Sequence, residues 1–281
     1  MRFEIATESR IGRRRSNQDR LVWRESAESL LLMVADGMGG HAHGELAARI
    51  ATDLVAQRFS LIATPRLPDP YLFLARALSD AHAALAAEAS RRSLPEIPLT
   101  TCVVCVIQDG IACWAHAGDS RLYLLRGGRV HARTHDHSHV QQLIEQGVIS
   151  VAESLHHPAR HRVFSCLGGA APPQVDFSRK YPLQQGDILL LCTDGLWAAL
   201  PEAELAGLAA TLGTTSLARA LPAAMIRAEA CSGPDCDNLS AIALRWQDGP
   251  APDGPGGSIF SDEDIERAID EIRGIIRSSK N

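Results

Sequence analysis

Three aspartates share a local sequence context that suits metal chemistry. Asp36 and Asp194 each follow an apolar run and precede a glycine, and Asp237 comes just before the last apolar run. Because carboxylates at strand ends sit on rigid backbone at the rim of a sheet, we expect these side chains to converge. Such oxygen ligands suit Mg²⁺ and Mn²⁺. Two such ions held close together can activate a water and clamp a phosphoryl oxygen.

A single Asp-Gly pair is more often a turn than a metal ligand. The case for chemistry here depends on recurrence, because the pair follows an apolar run twice, at residues 36–37 and 194–195. Glycine after the aspartate lets the chain turn sharply and leaves a backbone carbonyl open to a metal or ligand.

The elements that position these aspartates can be predicted from hydrophobic periodicity. Apolar and β-branched runs predict strands at residues 30–35, 100–107, 111–117, 120–125, 129–134, 188–192 and 239–244. The connectors at residues 108–110 and 126–128 carry Asp-Gly and Gly-Gly, which are typical of hairpins. Consecutive hairpins indicate antiparallel pairing rather than βαβ units.

Helical spacing of apolar residues predicts a second set of elements. The helices are expected at residues 44–59, 71–89, 140–146, 202–212 and 216–230, and residues 148–175 are expected to be irregular. The order of elements indicates an α+β fold, with two packed sheets and helices outside them.

Composition and charge narrow the classes of function. The chain has 281 residues, 46% of them apolar, so it can bury a core. With a net charge of -5 and no long basic block, it is not expected to bind nucleic acid. The longest basic run is Arg13-Arg14-Arg15, and no window approaches the ~18 apolar residues of a membrane span. Seven scattered cysteines and no apolar leader predict a reduced, cytoplasmic protein.

The C-terminal residues differ from the rest of the chain. Residues 247–258 are rich in glycine and proline, which predicts a linker. Residues 259–281 follow with isoleucines at 265, 269, 272 and 276, a spacing that predicts an amphipathic helix. Because a lone helix of this length is marginal in water, we expect it to bind either its own domain or a partner.

Six short motifs surround the candidate aspartates, at residues 14–19, 36–41, 117–121, 136–138, 193–197 and 237–240. Their order and spacing resemble those of the metal-dependent protein phosphatases, the type-2C serine/threonine phosphatases in their bacterial form. The resemblance implies a catalytic domain over residues 1–246. It implies a β-sandwich of two antiparallel sheets flanked by helices, in four α-β-β-α layers.

The resemblance assigns metal-binding roles to four positions. Asp36 corresponds to the ligand that bridges both metals, and Gly37 would give its carbonyl to the second metal. Asp194 and Asp237 would complete the first metal. The implied cofactors are two Mn²⁺ or Mg²⁺ ions, with a third ion in some bacterial members.

Three further positions follow from the same resemblance. Asp19 would hold metal-bound waters, and Asp119 corresponds to the ligand of the third, weaker metal. Arg14, chosen over Arg15 by its spacing to Asn17, corresponds to the arginine that grips the substrate phosphate. A guanidinium suits this role because it matches phosphate bidentately.

The resemblance implies hydrolysis of phosphoserine and phosphothreonine by attack of a metal-bridging hydroxide. The implied partners are phosphoprotein substrates and a cognate bacterial serine/threonine kinase. Two positions depart from the family pattern. Gln18 stands where a glutamate is common, which implies a weaker second metal, and Met38 stands where eukaryotic members have a histidine thought to act as general acid.

Two alternatives stay open at this point. A phosphoprotein-binding module with weak catalysis would keep Arg14 but lose metal ligands. A zinc hydrolase would use histidine clusters, of which the alternating residues 135, 137 and 139 are the best candidates; residues 41, 43, 156, 157 and 161 form two more. The C-x-x-C pair of Cys102 and Cys105 lies in a β-branched run, which favours buried structural cysteines over a redox or zinc site.

Overall fold

The computed structural model describes residues 1–38, 43–154, 157–205, 207 and 215–249. The predicted C-terminal helix and the linker beyond residue 249 lie outside these ranges. Also outside these ranges are residues 39–41 of the second motif, His156, and the second half of the helix predicted at residues 202–212.

Strands make up the centre of the protein. In the described ranges they are β1 (Phe3–Arg10), β2 (Arg20–Glu25), β3 (Ser29–Met38), β4 (Leu99–Gln108), β5 (Ile111–Ala117), β6 (Arg121–Arg126), β7 (Arg129–Arg133), β8 (Asp176–Phe177), β9 (Tyr181–Pro182), β10 (Ile188–Cys192) and β11 (Leu239–Trp246). Most of β3, β4, β5 and β10 is buried, which explains their continuous apolar sequences.

Helices connect and cover the strands. They are α1 (Gly44–Ile62), α2 (Pro70–Arg91), α3 (His139–Glu145), α4 (Val151–Ser154), α5 (Asp194–Trp197) and α6 (Leu217–Ser232). Helix α2 begins where the Asp69 side chain accepts hydrogen bonds from the backbone N–H groups of Tyr71 and Leu72. This N-cap satisfies donors that the first helical turn leaves open. Residues 202–205 are also helical.

The strands form two antiparallel sheets. The first sheet has the order β1-β11-β10-β6-β7, and the second has the order β2-β3-β4-β5-β8, with β9 also paired to β5. The chain crosses from the second sheet to the first between β5 and β6. At this crossing Gly118 has a φ of +110°, and a Cβ on it would lie 2.4 Å from the Thr101 Cβ, so a side chain would not fit.

Three apolar layers hold the elements together. Leu32, Leu122 and Leu191 belong to the layer between the two sheets. Helices α1 and α2 cover the second sheet through a layer that includes Phe59, and α6 covers the first sheet through one that includes Met225. The predicted four-layer α-β-β-α sandwich is therefore confirmed.

The two predicted hairpins are present and join β4 to β5 and β6 to β7. Asp109 and Gly110 both have positive φ, 55° and 71°, as the two central residues of a type I′ turn require. Cys102 and Cys105 are buried in β4 as free thiols, as expected for structural cysteines. Among the described helices, none is long and apolar enough to cross a membrane.

Candidate metal and phosphate site

Strand register brings the predicted aspartates to one rim of the sandwich. In the first sheet Cys192 pairs with Ala241 and with Arg121, so the end of β10 lies beside the starts of β11 and β6. Asp194, Asp237 and Asp119 come directly from these three strand ends. In the second sheet Arg20 pairs with Ala35, which places Asp19 and Asp36 beside each other.

Two glycines allow the backbone to close around this rim. A Cβ on Gly37 would lie 2.1 Å from the Gly44 carbonyl oxygen, so the end of β3 contacts the start of α1 directly. A Cβ on Gly195 would lie 2.1 Å from the Asn238 carbonyl oxygen. Real Cβ atoms do not approach so closely, and both Asp-Gly pairs therefore sit where only glycine fits.

The carboxylates lie close enough to repel one another. The pKa of Asp36 is raised well above its ordinary value, first by burial and then by the charges of Asp19, Asp194, Asp119 and Asp237. Burial and neighbouring negative charge both disfavour the ionised form. A divalent cation placed among these groups would remove both penalties.

Asp19 is the most enclosed of the five carboxylates. It is 2% exposed, and its Oδ2 accepts a hydrogen bond of 2.9 Å from the Thr193 hydroxyl. Its Oδ1 is buried without a hydrogen-bond partner. Burial raises the pKa of Asp19 to about 7, against the hydrogen bonds from Ser240 and Thr193. A buried acceptor without a donor is costly, and a cation or an ordered water at Oδ1 would satisfy it.

Asp119 occupies the crossing between the two sheets. It is 6% exposed, and its pKa is raised well above the ordinary value by burial, then by Asp194 and Asp136. Its backbone carbonyl accepts a hydrogen bond of 2.9 Å from the Trp197 indole N–H. Arg121 stacks over the same Trp197 ring at 3.6 Å and donates bidentately to Asp136 at 2.8 and 2.7 Å. These contacts fix the backbone on both sides of Asp119.

Arg14 reaches the carboxylates from the loop between β1 and β2. Its Nη2 donates to the Asp237 Oδ2 at 2.6 Å, and this hydrogen bond is the largest cause of its raised pKa. The Arg14 side chain remains 56% exposed, so a ligand in solvent can contact the guanidinium.

Asn238 was not given a role by the sequence analysis, yet it ties this loop to the site. Its Oδ1 accepts from the Gln18 backbone N–H at 2.8 Å, and its Nδ2 donates to the carbonyls of Ile11 and Ser16 at 2.8 and 3.0 Å. Asn238 follows Asp237 directly and is 5% exposed. In the sequence, the sign of this positioning role was an amide side chain directly after a candidate metal ligand.

His161 was grouped only with other histidines in the sequence, but the structure places it at the site. Its Nδ1 lies 3.9 Å from the Asp194 Oδ2, and its side chain is 60% exposed. The segment that carries it is held by an antiparallel bridge between Ser138 and Val163. His157 lies in the same stretch, but the structure gives it no contact with the aspartates.

The alternative in which residues 135, 137 and 139 place three imidazoles on one side to bind zinc is not supported. His137 is buried, whereas His135 and His139 are exposed. Within the described part of the chain, a different set of side chains could hold a metal ion, because one ligand atom from each lies within 4.8 Å of the others. Its members are His116, His137 and Asp176. The aspartate oxygens at the rim are spread more widely, as mutually repelling carboxylates are.

The hydrogen bonds of this set disfavour zinc. The Gly118 N–H donates to the His137 Nδ1 at 3.3 Å, so the ring proton lies on Nε2, which is 3.3 Å from the Asp176 Oδ2. Zinc would need the Nε2 lone pair that this proton occupies. Burial lowers the pKa of His116 to about 4, and its Nε2 donates to the His135 carbonyl at 2.6 Å. The contacts favour a buried structural histidine pair.

Comparison with known proteins gives one consistent result. The family model described as protein phosphatase 2C matches residues 7–225. Protein phosphatase PhpP of Streptococcus pneumoniae is 32% identical over 209 residues, which cover 72% of this chain and 82% of that protein.

Solved structures agree with the sequence comparison. The Streptococcus agalactiae serine/threonine phosphatase is 25% identical with a TM-score of 0.79, and the match covers 88% of this chain and 100% of that one. The catalytic domain of the serine/threonine phosphatase PstP, solved in complex with two manganese ions, is 28% identical with a TM-score of 0.71, over 88% of this chain and 99% of that one. The chain therefore belongs to the protein phosphatase 2C family.

Proposed function

We propose that this protein is a metal-dependent serine/threonine protein phosphatase that hydrolyses phosphoserine and phosphothreonine directly with water. The observation that carries the proposal is the convergence of five aspartates and one arginine at a single rim of the sandwich. A phosphoprotein-binding module would need only the arginine. The mutual repulsion of the carboxylates serves no purpose in such a module but suits divalent cations.

Each candidate ligand has a definite place in this proposal. Asp36 and the Gly37 carbonyl lie at the end of β3, and Asp194 and Asp237 lie at the facing strand ends of the other sheet. A metal pair held between them would supply an acidified water for attack on phosphorus and would neutralise the phosphoryl oxygens. We assign Mn²⁺ or Mg²⁺ to the pair because the ligands are oxygens only.

Asp19 and Asp119 take supporting roles. Asp19 lies behind the main ligands with one free buried acceptor, and it would orient waters through that oxygen. Asp119, held rigidly at the sheet crossing, would bind a third ion together with Asp194, whose charge acts on it. Because Asp119 is buried and Asp194 is half-buried, a cation between them would offset their mutual repulsion.

Arg14 would bind and orient the substrate phosphate. The Asp237 contact already holds its guanidinium beside the metal ligands, and the exposed part of the side chain faces the solvent from which substrate arrives. A guanidinium can donate to two phosphate oxygens at once, which fixes the phosphorus for attack along one direction. No buried cysteine is needed as nucleophile.

We further propose that the substrates are proteins phosphorylated by a serine/threonine kinase of the same cell. We also propose that residues 1–246 form the complete catalytic domain. The described part of the chain contains every candidate ligand, and within it no strand of either sheet follows β11, which ends at Trp246. Removing residues 250–281 should leave phosphopeptide hydrolysis intact. A loss of activity in the truncated chain, if it remains folded by circular dichroism, would assign the tail a catalytic role.

The test is phosphate release from a phosphothreonine peptide with Mn²⁺, Mg²⁺, Zn²⁺ or chelator. We expect release with Mn²⁺ or Mg²⁺, none with chelator, and a fall of at least about 100-fold in Asp194→Asn, because the metal clamp stabilises charge in the transition state. Asp53→Asn, on the exposed face of α1, is the matched control. Folded protein without activity in any metal would overturn the proposal.

A further inference from the structure

Two arginine-bearing segments border the carboxylates. In the first, Arg13 and Arg15 flank the phosphate-binding candidate Arg14. The loop is pressed onto the site: the Arg13 N–H donates to the Cys236 carbonyl at 2.9 Å, and Gly12, with a φ of +60°, lies so close that a Cβ would be 2.1 Å from the Asp237 carbonyl oxygen. The loop therefore has a fixed position beside the metal ligands.

The second segment carries Arg160 and Arg162 on either side of His161. The contact between His161 and Asp194, at 3.9 Å, places this segment at the same site. Its backbone is anchored, because the Arg162 carbonyl accepts from the His139 N–H at 2.9 Å and the Phe164 N–H donates to the His137 carbonyl at 2.9 Å. These anchors at Arg162 and Phe164 restrict where the two guanidiniums can reach.

The four flanking guanidiniums are available to a ligand. Arg13, Arg15, Arg160 and Arg162 are all exposed, and within the described ranges none of them forms an ion pair. The chain as a whole carries a net charge of -5, and these four side chains add positive charge beside the carboxylates of the site. Such a local field attracts negative groups on an approaching substrate.

We infer that these four arginines, named here the arginine border, select phosphoproteins that carry further negative charge next to the hydrolysed phosphoserine or phosphothreonine. The inference rests on the proposed phosphatase function and names its substrate class. The recognised groups are acidic side chains or a second phosphorylated residue within a few positions of the scissile phosphate. Guanidinium groups bind both carboxylate and phosphate oxygens bidentately.

Phosphothreonine peptides that differ only in their flanking residues test the inference. One peptide has glutamines around the phosphothreonine, one has aspartates, and one has a second phosphothreonine. For the wild-type chain with Mn²⁺ we expect kcat/KM to be at least about threefold higher for the two charged peptides, the scale of a few exposed ion pairs. The difference should appear in KM and should shrink at about 0.5 M NaCl, where exposed charges are screened.

Two double variants locate the effect, Arg13→Gln/Arg15→Gln and Arg160→Gln/Arg162→Gln. Each variant should lower the ratio of kcat/KM between the charged peptides and the glutamine peptide toward one. Because both values come from the same variant, a general loss of activity does not change the ratio. Arg129→Gln is the matched control. Arg129 is exposed and comes directly after the turn between β6 and β7, which lies at the end of β6 away from the site. This variant should keep the wild-type ratio.

The outcomes separate this inference from the function beneath it. Equal kcat/KM for all three peptides in the wild type would overturn the arginine border while leaving the phosphatase intact. A preference that survives in both double variants would overturn it as well. Absence of hydrolysis of any peptide with any metal would instead overturn the proposed function.

Discussion

Asp19 makes a quantitative prediction for the metal-free protein. Its pKa is raised from 3.8 to about 7, because the carboxyl is buried and lies near Asp194 and Asp237. In the unfolded chain the same carboxyl ionises in its ordinary range. Between these two values the folded state keeps a proton that the unfolded state has lost, so the free energy of unfolding falls as pH rises from about 4 to about 7.

The size of the effect follows from the two pKa values. At about 1.36 kcal/mol per pH unit, the full contribution of Asp19 is on the order of 4 kcal/mol. Between about pH 5 and about pH 8 the contribution changes by roughly 2–3 kcal/mol, because part of it is already lost below pH 5. Asp19→Asn removes the titrating group and keeps an oxygen that can accept from the Thr193 hydroxyl.

The assay is urea denaturation in chelator at these two pH values. The wild-type chain should lose roughly 2–3 kcal/mol more stability than Asp19→Asn as the pH is raised. Asp53→Asn, which changes an exposed aspartate on α1, should behave like the wild type. Equal pH dependence in the wild type and Asp19→Asn would refute the reasoning. It would mean that Asp19 is hydrated and ionised in the folded state at pH 5.

Three further predictions concern metal binding, the buried ion pair and the close backbone contact. Mn²⁺ at about 100 times its Kd should raise the Tm by roughly 5–10 °C in a thermal scan, and Asp36→Asn should abolish the rise; an unchanged rise would exclude Asp36 as a ligand. Asp136→Ala should cost about 3–5 kcal/mol in urea denaturation, because it leaves the largely buried Arg121 guanidinium uncompensated; a cost below about 1 kcal/mol would contradict a desolvated pair. Gly195→Ala should lower both Tm and Mn²⁺ affinity, because its Cβ would collide with the Asn238 carbonyl; wild-type values for both would show that the backbone yields freely.

The interior strands could be predicted from the sequence because both of their faces are buried. The predicted bounds 111–117 and 188–192 coincide with β5 and β10, whose apolar runs are continuous. The hairpin turns were equally clear, since positive φ at residues 109–110 and 127–128 demands particular residue types. In these cases local sequence and tertiary environment agree.

Edge strands carried a weaker signal. The strands β1 and β2 were not predicted from the sequence. Because most of their residues are half-buried or exposed, polar and apolar side chains mix along them. The two-residue strands β8 and β9 exist only through their pairing with β5. The short helix α4 also lies inside a stretch that was expected to be irregular. Tertiary pairing decides such elements, and local propensity does not.

Asp36, Asp194 and Asp237 were predictable because each adjoins an apolar run, and Asp19 and Asp119 followed from the family resemblance. The groups that hold these aspartates were not predictable. Asn238 meets the backbone of Gln18 across 220 residues of sequence, and Thr193 meets Asp19 across 174. The alternation of histidines at residues 135–139 does not align their side chains, because the segment is not a free extended strand. The His137 N–H is bonded to the Gly118 carbonyl at 2.9 Å, which turns this residue inward.

The measurement that tests the central claim most directly is electron paramagnetic resonance of the Mn²⁺-loaded protein, combined with a metal titration. The proposal is that Asp36 would bind both ions of a metal pair, with Asp194 and Asp237 as further ligands. It predicts two bound Mn²⁺ per chain with an exchange-coupled spectrum, and loss of the coupling in Asp36→Asn. Mn²⁺ that binds only as isolated, uncoupled ions in the wild type, or coupling that persists in Asp36→Asn, would contradict it.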